Sequence, residues 1–471
     1  MKNFIKSLEF RKSDLFLFIG FLGYVIFLIF GQIFMQYQNP LEVALPLWAA
    51  IICLVTMVGC WSYYLYLEVY LKKDKYSLFV ISAFFVLMLL NVLTIALQPK
   101  TVVENVIIRY SETDPSSVGS VQQAITNISG THKLVFISEL IGTISFIYIG
   151  IFVFPKRFKT VKFIKFLGYA LFAFLGVLIV YGYIAEFKNY IGFIKYLLGI
   201  ERIEGQSIYY YAIESFIIHR NAYGMCMMLG IIFAFINHSI EHKWYYYLIA
   251  AFFYVNMVFS LCKTGLLISA LIFLAYIVYR LIETYKEHKK RNKIILIAGG
   301  SVIALAALVV GVAYLSEGKI LGFIYNAIKS ISGGGQTLDT RTYIWDNSFQ
   351  LLQNGWWLIG RGFGTYNEML MPMNIISHED PVFPAHSAYV GLLAEGGILF
   401  LLGYIVLLGY TIYVIVKCFK KDPALTISMS LGILAFVLYS FIEAIHYLVY
   451  VFIFPIMILY HINYETAEEK S

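Results

Sequence analysis

Charge is what this chain has least of. Asp, Glu, Lys and Arg make up 13% of its 471 residues, where a soluble domain averages about 25%. The apolar share is 60%, against about 45–50% in soluble domains. No stretch reads as a soluble domain, so hydrocarbon must be the solvent for most of the protein. The net charge of +7 has no basic face on a soluble domain to occupy, and no nucleic-acid partner is expected. Cysteine is sparse too. Cys53, Cys60, Cys226, Cys262 and Cys418 lie in or beside apolar runs and form no CxxC pair, which leaves neither a disulfide framework nor a zinc site. No Asp-x-Asp pair stands in the long polar connections, and the nearest acidic group, His378-Glu379-Asp380, reads as a solvated loop. Gly360-Arg361-Gly362-Phe363-Gly364 follows no strand and belongs to no βαβ unit, so it is no dinucleotide fingerprint. Neither a metal nor a cofactor is expected. The two halves of the chain show no internal repeat, which weighs against a secondary transporter.

Long apolar runs are what the chain does have. A helix of about 20 apolar residues crosses a bilayer core of about 30 Å. By that measure, spans fall near 15–35, 43–69, 76–97, 134–154, 164–184, 221–238, 244–262, 264–281, 294–314, 392–416, 424–442 and 445–461. The chain contains 38 Tyr and 39 Phe, which suits interfacial as well as lipid-facing rings. The N-terminus carries Lys2, Lys6, Arg11 and Lys12 before its apolar run and has no small-residue cleavage site, so it is expected to remain as the first helix. The other basic clusters are Lys72/Lys73/Lys75, Lys156 to Lys165, Arg280 to Lys293 and Lys417/Lys420/Lys421. Twelve helices put them all on one side, which the positive-inside rule makes the cytoplasm, together with both termini. Merging 244–281 into one helix would split the clusters between sides, so charge supports a break at Lys263. The connections 98–133, 185–220 and 315–391 then lie outside. Segment 188–200 mixes lysines with bulky apolar residues and suits a helix lying in the interface. The expected organisation is a single integral membrane domain over 1–471, in which 315–391 is an external catalytic loop with short interfacial helices.

The candidate chemistry collects between Asp339 and Gly397. Asp339 or Thr340 can cap a helix running to about Gln353, with Asn354-Gly355 ending it. Arg341 and Trp345 are four apart and share a face. An arginine in a first turn opposes the helix dipole by about 0.3–1 kcal/mol, so stabilising the helix is not its role. With the helix N-terminus it makes a diphosphate cradle. The alternative is a surface arginine reaching for lipid headgroups. Arg361, in a tight glycine turn, is either a second phosphate contact or a solvated residue. His386-Ser387 opens the next helix if that helix starts near Pro384. Gly397, eleven residues after His386, is nearly three turns on and shares its face. His386 can act as a general base, or as a plain hydrogen-bonding neighbour of headgroups. Arg220, Lys263 and Glu443 stand at external ends or breaks of spans, and all six groups map to the same leaflet. A cationic cluster with one histidine and one carboxylate suits transfer from a lipid diphosphate. Glu139, inside the fourth span, is a further acid without an assigned place.

Together, Arg341/Trp345, Gly362/Gly364 and His386-Ser387 with Gly397 resemble the motifs of the O-antigen ligase and polymerase superfamily. Asn221-Ala222-Tyr223-Gly224 and Ser260 to Gly265 are similar to two weaker patterns of that family. The likeness covers about 205–460. There are two departures. Phe400 stands where the family usually has a second glycine, and Lys263 stands where it often has arginine, losing bidentate phosphate binding. The resemblance implies an all-α polytopic membrane protein of about twelve spans, a GT-C-like membrane glycosyltransferase with its large external loop between helices 9 and 10. His386 would activate the acceptor hydroxyl, and Glu443 matches an acid of the last hairpin. Arg341, Arg220, Lys263 and Arg361 would hold the diphosphate. The implied activity is inverting, metal-independent transfer of a glycan from undecaprenyl diphosphate in the bacterial plasma membrane. The acceptor is another lipid-linked repeat in a polymerase and a lipid A core in a ligase. A flippase and a chain-length regulator are the implied partners. Plentiful Ile, Phe, Tyr and Lys point to an AT-rich genome and a Gram-positive host without lipid A, which favours the polymerase of a capsule or exopolysaccharide. A lipid-linked-glycan flippase is the competing reading.

Overall fold

The computed structural model describes residues 11–36, 44–98, 130–197, 208–217, 220–288, 336–366, 369–370, 386–443 and 445–468. All regular structure among them is helical. Among the described residues, eight helices are long and apolar enough to cross a membrane, and the shorter apolar helices Asp14–Tyr24, Tyr245–Ser260 and Pro423–Tyr439 complete eleven of the twelve predicted spans. The ninth predicted span, 294–314, lies outside the described residues, as do most of the 98–133 connection and His378-Glu379-Asp380. The chain is an all-α polytopic membrane protein. Its elements pack as two units. One takes residues 1–159, 341–413 and 441–446, and the other takes 160–340, 414–440 and 447–471.

In the first unit, α1 (Asp14–Gln36) packs along α2 (Ala44–Leu65), which continues through a π turn at Tyr66–Tyr70. The Trp61 indole N–H donates to the Leu17 carbonyl at 3.2 Å. Next come α3 (Lys75–Ala96) and α4 (Gly130–Tyr148); a π turn and a short helical turn extend α4 to Arg157. Arg157 grips the fully buried Asp14 through two nitrogens, at 2.8 and 2.6 Å. Asp74 caps α3, accepting from the Ser77 N–H at 3.1 Å and from Lys156 at 2.8 Å. Burial pushes the Asp74 carboxyl up, but the hydrogen bonds from Lys156 and Ser77 outweigh burial and hold it at about 2. Its contribution to stability is therefore complete above its ordinary value near 3.8 and is lost as pH falls through about 2. Asp74→Ala should cost about 1 kcal/mol, read as a lower unfolding temperature in detergent at neutral pH and a smaller difference from wild type in acid.

In the second unit, α5 (Val161–Ala185), α6 (Phe187–Leu197), α7 (Arg220–Glu241), α8 (Tyr245–Ser260) and α9 (Lys263–His288) come in chain order. Helix α7 is apolar all round, and a helix of that kind must be buried. Its residues from Tyr223 to Ser239 are buried apart from Cys226, with α5, α8 and α12 (Pro423–Tyr439) packed around it. Polar pairs inside the unit are satisfied between helices: Ser239 bonds Ser428 at 2.7 Å, and His238 bonds the Tyr276 hydroxyl at 2.8 Å. The break predicted at Lys263 is present. Leu261 adopts a left-handed conformation at φ 56°, and Lys263 opens α9. Helix α6 buries Tyr190 and Phe193 and exposes Phe187, Ile191 and Ile194 beside Lys188 and Lys195. That two-sided character is what an interfacial helix requires.

Candidate active site

His386 and Glu443 meet. The His386 Nδ1 lies 3.3 Å from a Glu443 carboxylate oxygen, and both side chains are largely shielded. Two features of the chain bring them together. His386 sits at φ 46°, a left-handed conformation in which histidine is enriched among non-glycine residues. It turns the chain so that Ser387 can start α11 (Ala388–Phe419), with the Ser387 carbonyl taking the Gly391 N–H at 2.9 Å. At the second residue of α11, the Tyr389 ring packs 4.5 Å from Phe441, two residues before Glu443. The helix starts at Ala388 and not near Pro384, so His386 is the residue ahead of the cap and not a member of a helical face.

Gly397 does not extend that face either. At φ 65° and ψ −165° it breaks α11. An unbroken helix would have Ile398 and Leu399 donating to the carbonyls of Ala394 and Glu395. Those donors go instead to the carbonyls of Trp357, at 2.8 Å, and Leu358, at 3.3 Å. The two abandoned carbonyls accept from Arg361 N–H and Gly362 N–H, both at 2.8 Å. The loop of residues 356–364 is thus threaded into the gap and replaces the missing helix bonds one for one. Buried backbone polar groups need partners of this kind. The threading needs bare backbone. A Cβ on Gly360 would lie 2.5 Å from the Glu395 carbonyl carbon, and one on Gly397 would lie 2.4 Å from that of Leu358. Beneath the loop, Ile344, Leu351, Tyr366, Met369, Leu370 and Ala394 form a buried apolar cluster. Phe400 lays its ring over Gly396.

The predicted phosphate contacts divide. Helix α10 (Gln336–Leu351) starts five residues before Arg341, so Asp339 and Thr340 do not cap it and Arg341 lies in its second turn. The helix therefore begins a turn earlier than the sequence suggested, and by position Arg341 and Trp345 are four apart within it. The helix ends close to where Asn354-Gly355 was expected to end it, and both residues are left-handed, at φ 63° and 92°. Arg361 is no solvated turn residue. It is 3% exposed, its Nε donates to the Leu351 carbonyl, and its guanidinium lies 4.3 Å over the Trp356 ring. Burial pulls its pKa down to about 10, which leaves it cationic at neutral pH. In the second unit, Arg220 and Lys263 share one end. Arg220 opens α7 one turn before Gly224, where a Cβ would lie 2.5 Å from Cys262, the neighbour of Lys263.

Three further residues of the first unit were not singled out from the sequence or placed by it. Asn91 in the last turns of α3 and Gln98 just past its end bond the glycine loop and the broken helix. The Glu395 carboxylate takes the Gly364 N–H and lies within electrostatic reach of Glu139. A lone amide in an apolar run signals a partner inside the protein, but not which one. Among the described residues no group of three or more His, Cys, Asp or Glu could hold a metal ion.

No curated protein and no solved structure matches the chain. Residues 247–405 match the family model described as O-antigen ligase, a stretch that runs from α8 through Lys263, Arg341, Arg361 and His386 to beyond the break at Gly397. That match makes this region of the chain similar to the O-antigen ligases, and it supports O-antigen ligase or polymerase-type work in surface-glycan biosynthesis.

Proposed function

We propose that this protein is a bacterial surface-polysaccharide polymerase. It moves a growing glycan from undecaprenyl diphosphate onto another lipid-linked repeat, at the outer face of the plasma membrane, with the 315–391 connection outside and both termini in the cytoplasm. The observation that carries the reading is the contact of His386 Nδ1 with Glu443 at 3.3 Å. A carboxylate on Nδ1 selects the tautomer in which Nε2 is the basic nitrogen, and it stabilises the imidazolium that forms when Nε2 takes a proton. The acceptor hydroxyl oxygen attacks the anomeric carbon from the face opposite the diphosphate, and its proton passes to Nε2. The bond from that carbon to the diphosphate oxygen breaks, and its electron pair leaves with the phosphate. Configuration inverts. Arg341 supplies positive charge for the leaving group, so the reading calls for no metal. Arg361 supports the loop from within.

Purified protein in proteoliposomes, given a labelled lipid-linked repeat as its only substrate, should yield a ladder of longer glycans and free undecaprenyl diphosphate. If product appears only when a different acceptor is added, the protein is a ligase. If labelled lipid crosses the bilayer and no bond forms, it is a flippase.

A further inference from the structure

The short piece of α11 between Ser387 and the break at Gly397 carries His386 at its head. Within α11 the bonds from Ile398 and Leu399 to Ala394 and Glu395 are missing, and the glycine loop fills them. That loop is held in turn from α3. Asn91 is 1% exposed, and its carboxamide makes two bonds at once. Its Nδ2 donates to the Glu395 carbonyl at 2.8 Å. Its Oδ1 accepts from the Phe363 N–H at 2.9 Å. Seven residues on, just past the end of α3 at Ala96, the Gln98 Nε2 donates to the Arg361 carbonyl at 2.6 Å. The Glu395 carbonyl takes both Asn91 and the Gly362 N–H. One amide thus ties three segments together: the transmembrane helix α3, the glycine loop and the last turn before the break.

We propose that Asn91, assisted by Gln98, is a positioning residue for His386. It locks the glycine loop into the helix break and so sets where the imidazole stands. The chemistry of the amide explains the residue type. Holding a carbonyl and an N–H together takes a donor and an acceptor on one short side chain, which an aspartate or a leucine lacks. The lever is short. The piece from Ala388 to Gly396 spans about 13 Å at about 1.5 Å per residue, so a tilt at Glu395 is carried directly to His386. Misplacement by about 1 Å can cost about 10²-fold in rate.

The proposal rests on the polymerase reading for its kinetic arm only. In proteoliposomes, Asn91→Leu should lower kcat by about tenfold or more and leave KM for the lipid-linked donor within about twofold, since the clamp orients the base and does not hold the diphosphate. The structural arm needs no activity. In a background without the five native cysteines, spin labels go on Phe79→Cys, which is 73% exposed on α3, and Gly391→Cys, whose Cβ meets nothing within 4 Å. The protein with Asn91 should give one narrow distance distribution, and Asn91→Leu should broaden or shift it. Should Asn91→Leu not fold, Gln98→Leu is read the same way and should give a smaller change in the same direction. A folded variant with an unchanged narrow distribution overturns the proposal, and so does one that polymerises at the wild-type rate. If the unsubstituted enzyme makes no polymer but the distribution still depends on Asn91, the clamp stands and the polymerase reading fails.

Discussion

His386→Ala is expected to lower glycan transfer by about 10²–10⁴-fold, the range for loss of a positioned general base, without loss of folded protein. The fold should tolerate the change because His386 lies ahead of α11 and outside its hydrogen-bond ladder. The turn there is closed by backbone, through the Ser387 carbonyl and the Gly391 N–H. Alanine at φ 46° meets some strain, so His386→Asn, which tolerates the left-handed region, is the control. It should fold like wild type and be just as inactive. Initial rates of undecaprenyl diphosphate release at matched protein, with size-exclusion profiles of each variant, decide the matter. Activity near wild type in either variant would remove His386 from the chemistry.

Gly397→Ala is expected to be strongly destabilising, while Gly391→Ala, six residues earlier, is not. At φ 65° and ψ −165° Gly397 occupies a region that only glycine enters readily, and other residues pay about 1–3 kcal/mol there. A Cβ would also stand 2.4 Å from the Leu358 carbonyl carbon. That backbone cannot retreat, because the Leu358 carbonyl and its neighbour at Trp357 are bonded to the N–H groups after the break. Gly391 is helical with open space at its Cβ, and alanine there should be neutral or gain up to about 1 kcal/mol. Thermal unfolding of the two variants side by side in detergent reads the difference. Equal melting temperatures would mean that the break is not a fixed feature of the fold.

The spans were legible because length and apolarity are local properties. Each run of about 20 apolar residues became a helix wherever the chain is described. The breaks at Lys263 and Glu443 were legible for a related reason: short polar interruptions inside apolar runs are costly unless they reach an interface or a partner. The break at Gly397 was not. Gly396 and Gly397 follow a single acid, Glu395, in an otherwise apolar run, and that acid alone does not mark a break. Spacing alone made Gly397 a small residue on a helical face, when its positive φ makes it the gap that another segment fills. Nor could Arg361 be read. Its burial follows from the loop being drawn into that gap against Trp356 and Leu351, contacts that exist only in three dimensions. Asn91 shows the limit most plainly, since its partners Phe363 and Glu395 stand 272 and 304 residues away. The pairing of His386 with Glu443, 57 residues apart, was not read from spacing either. The resemblance named both residues, and the contact between Tyr389 and Phe441 shows how they are held together.

The account stands or falls on whether the imidazole and its carboxylate act as one unit in glycan transfer. A double-mutant cycle of His386→Ala, Glu443→Gln and the double variant, read as initial rates of undecaprenyl diphosphate release in proteoliposomes, measures this directly. With Glu443 working through the ring, the double variant should be no slower than His386→Ala alone, within about twofold. Losses that multiply, or a His386→Ala enzyme that still extends the glycan, would contradict it.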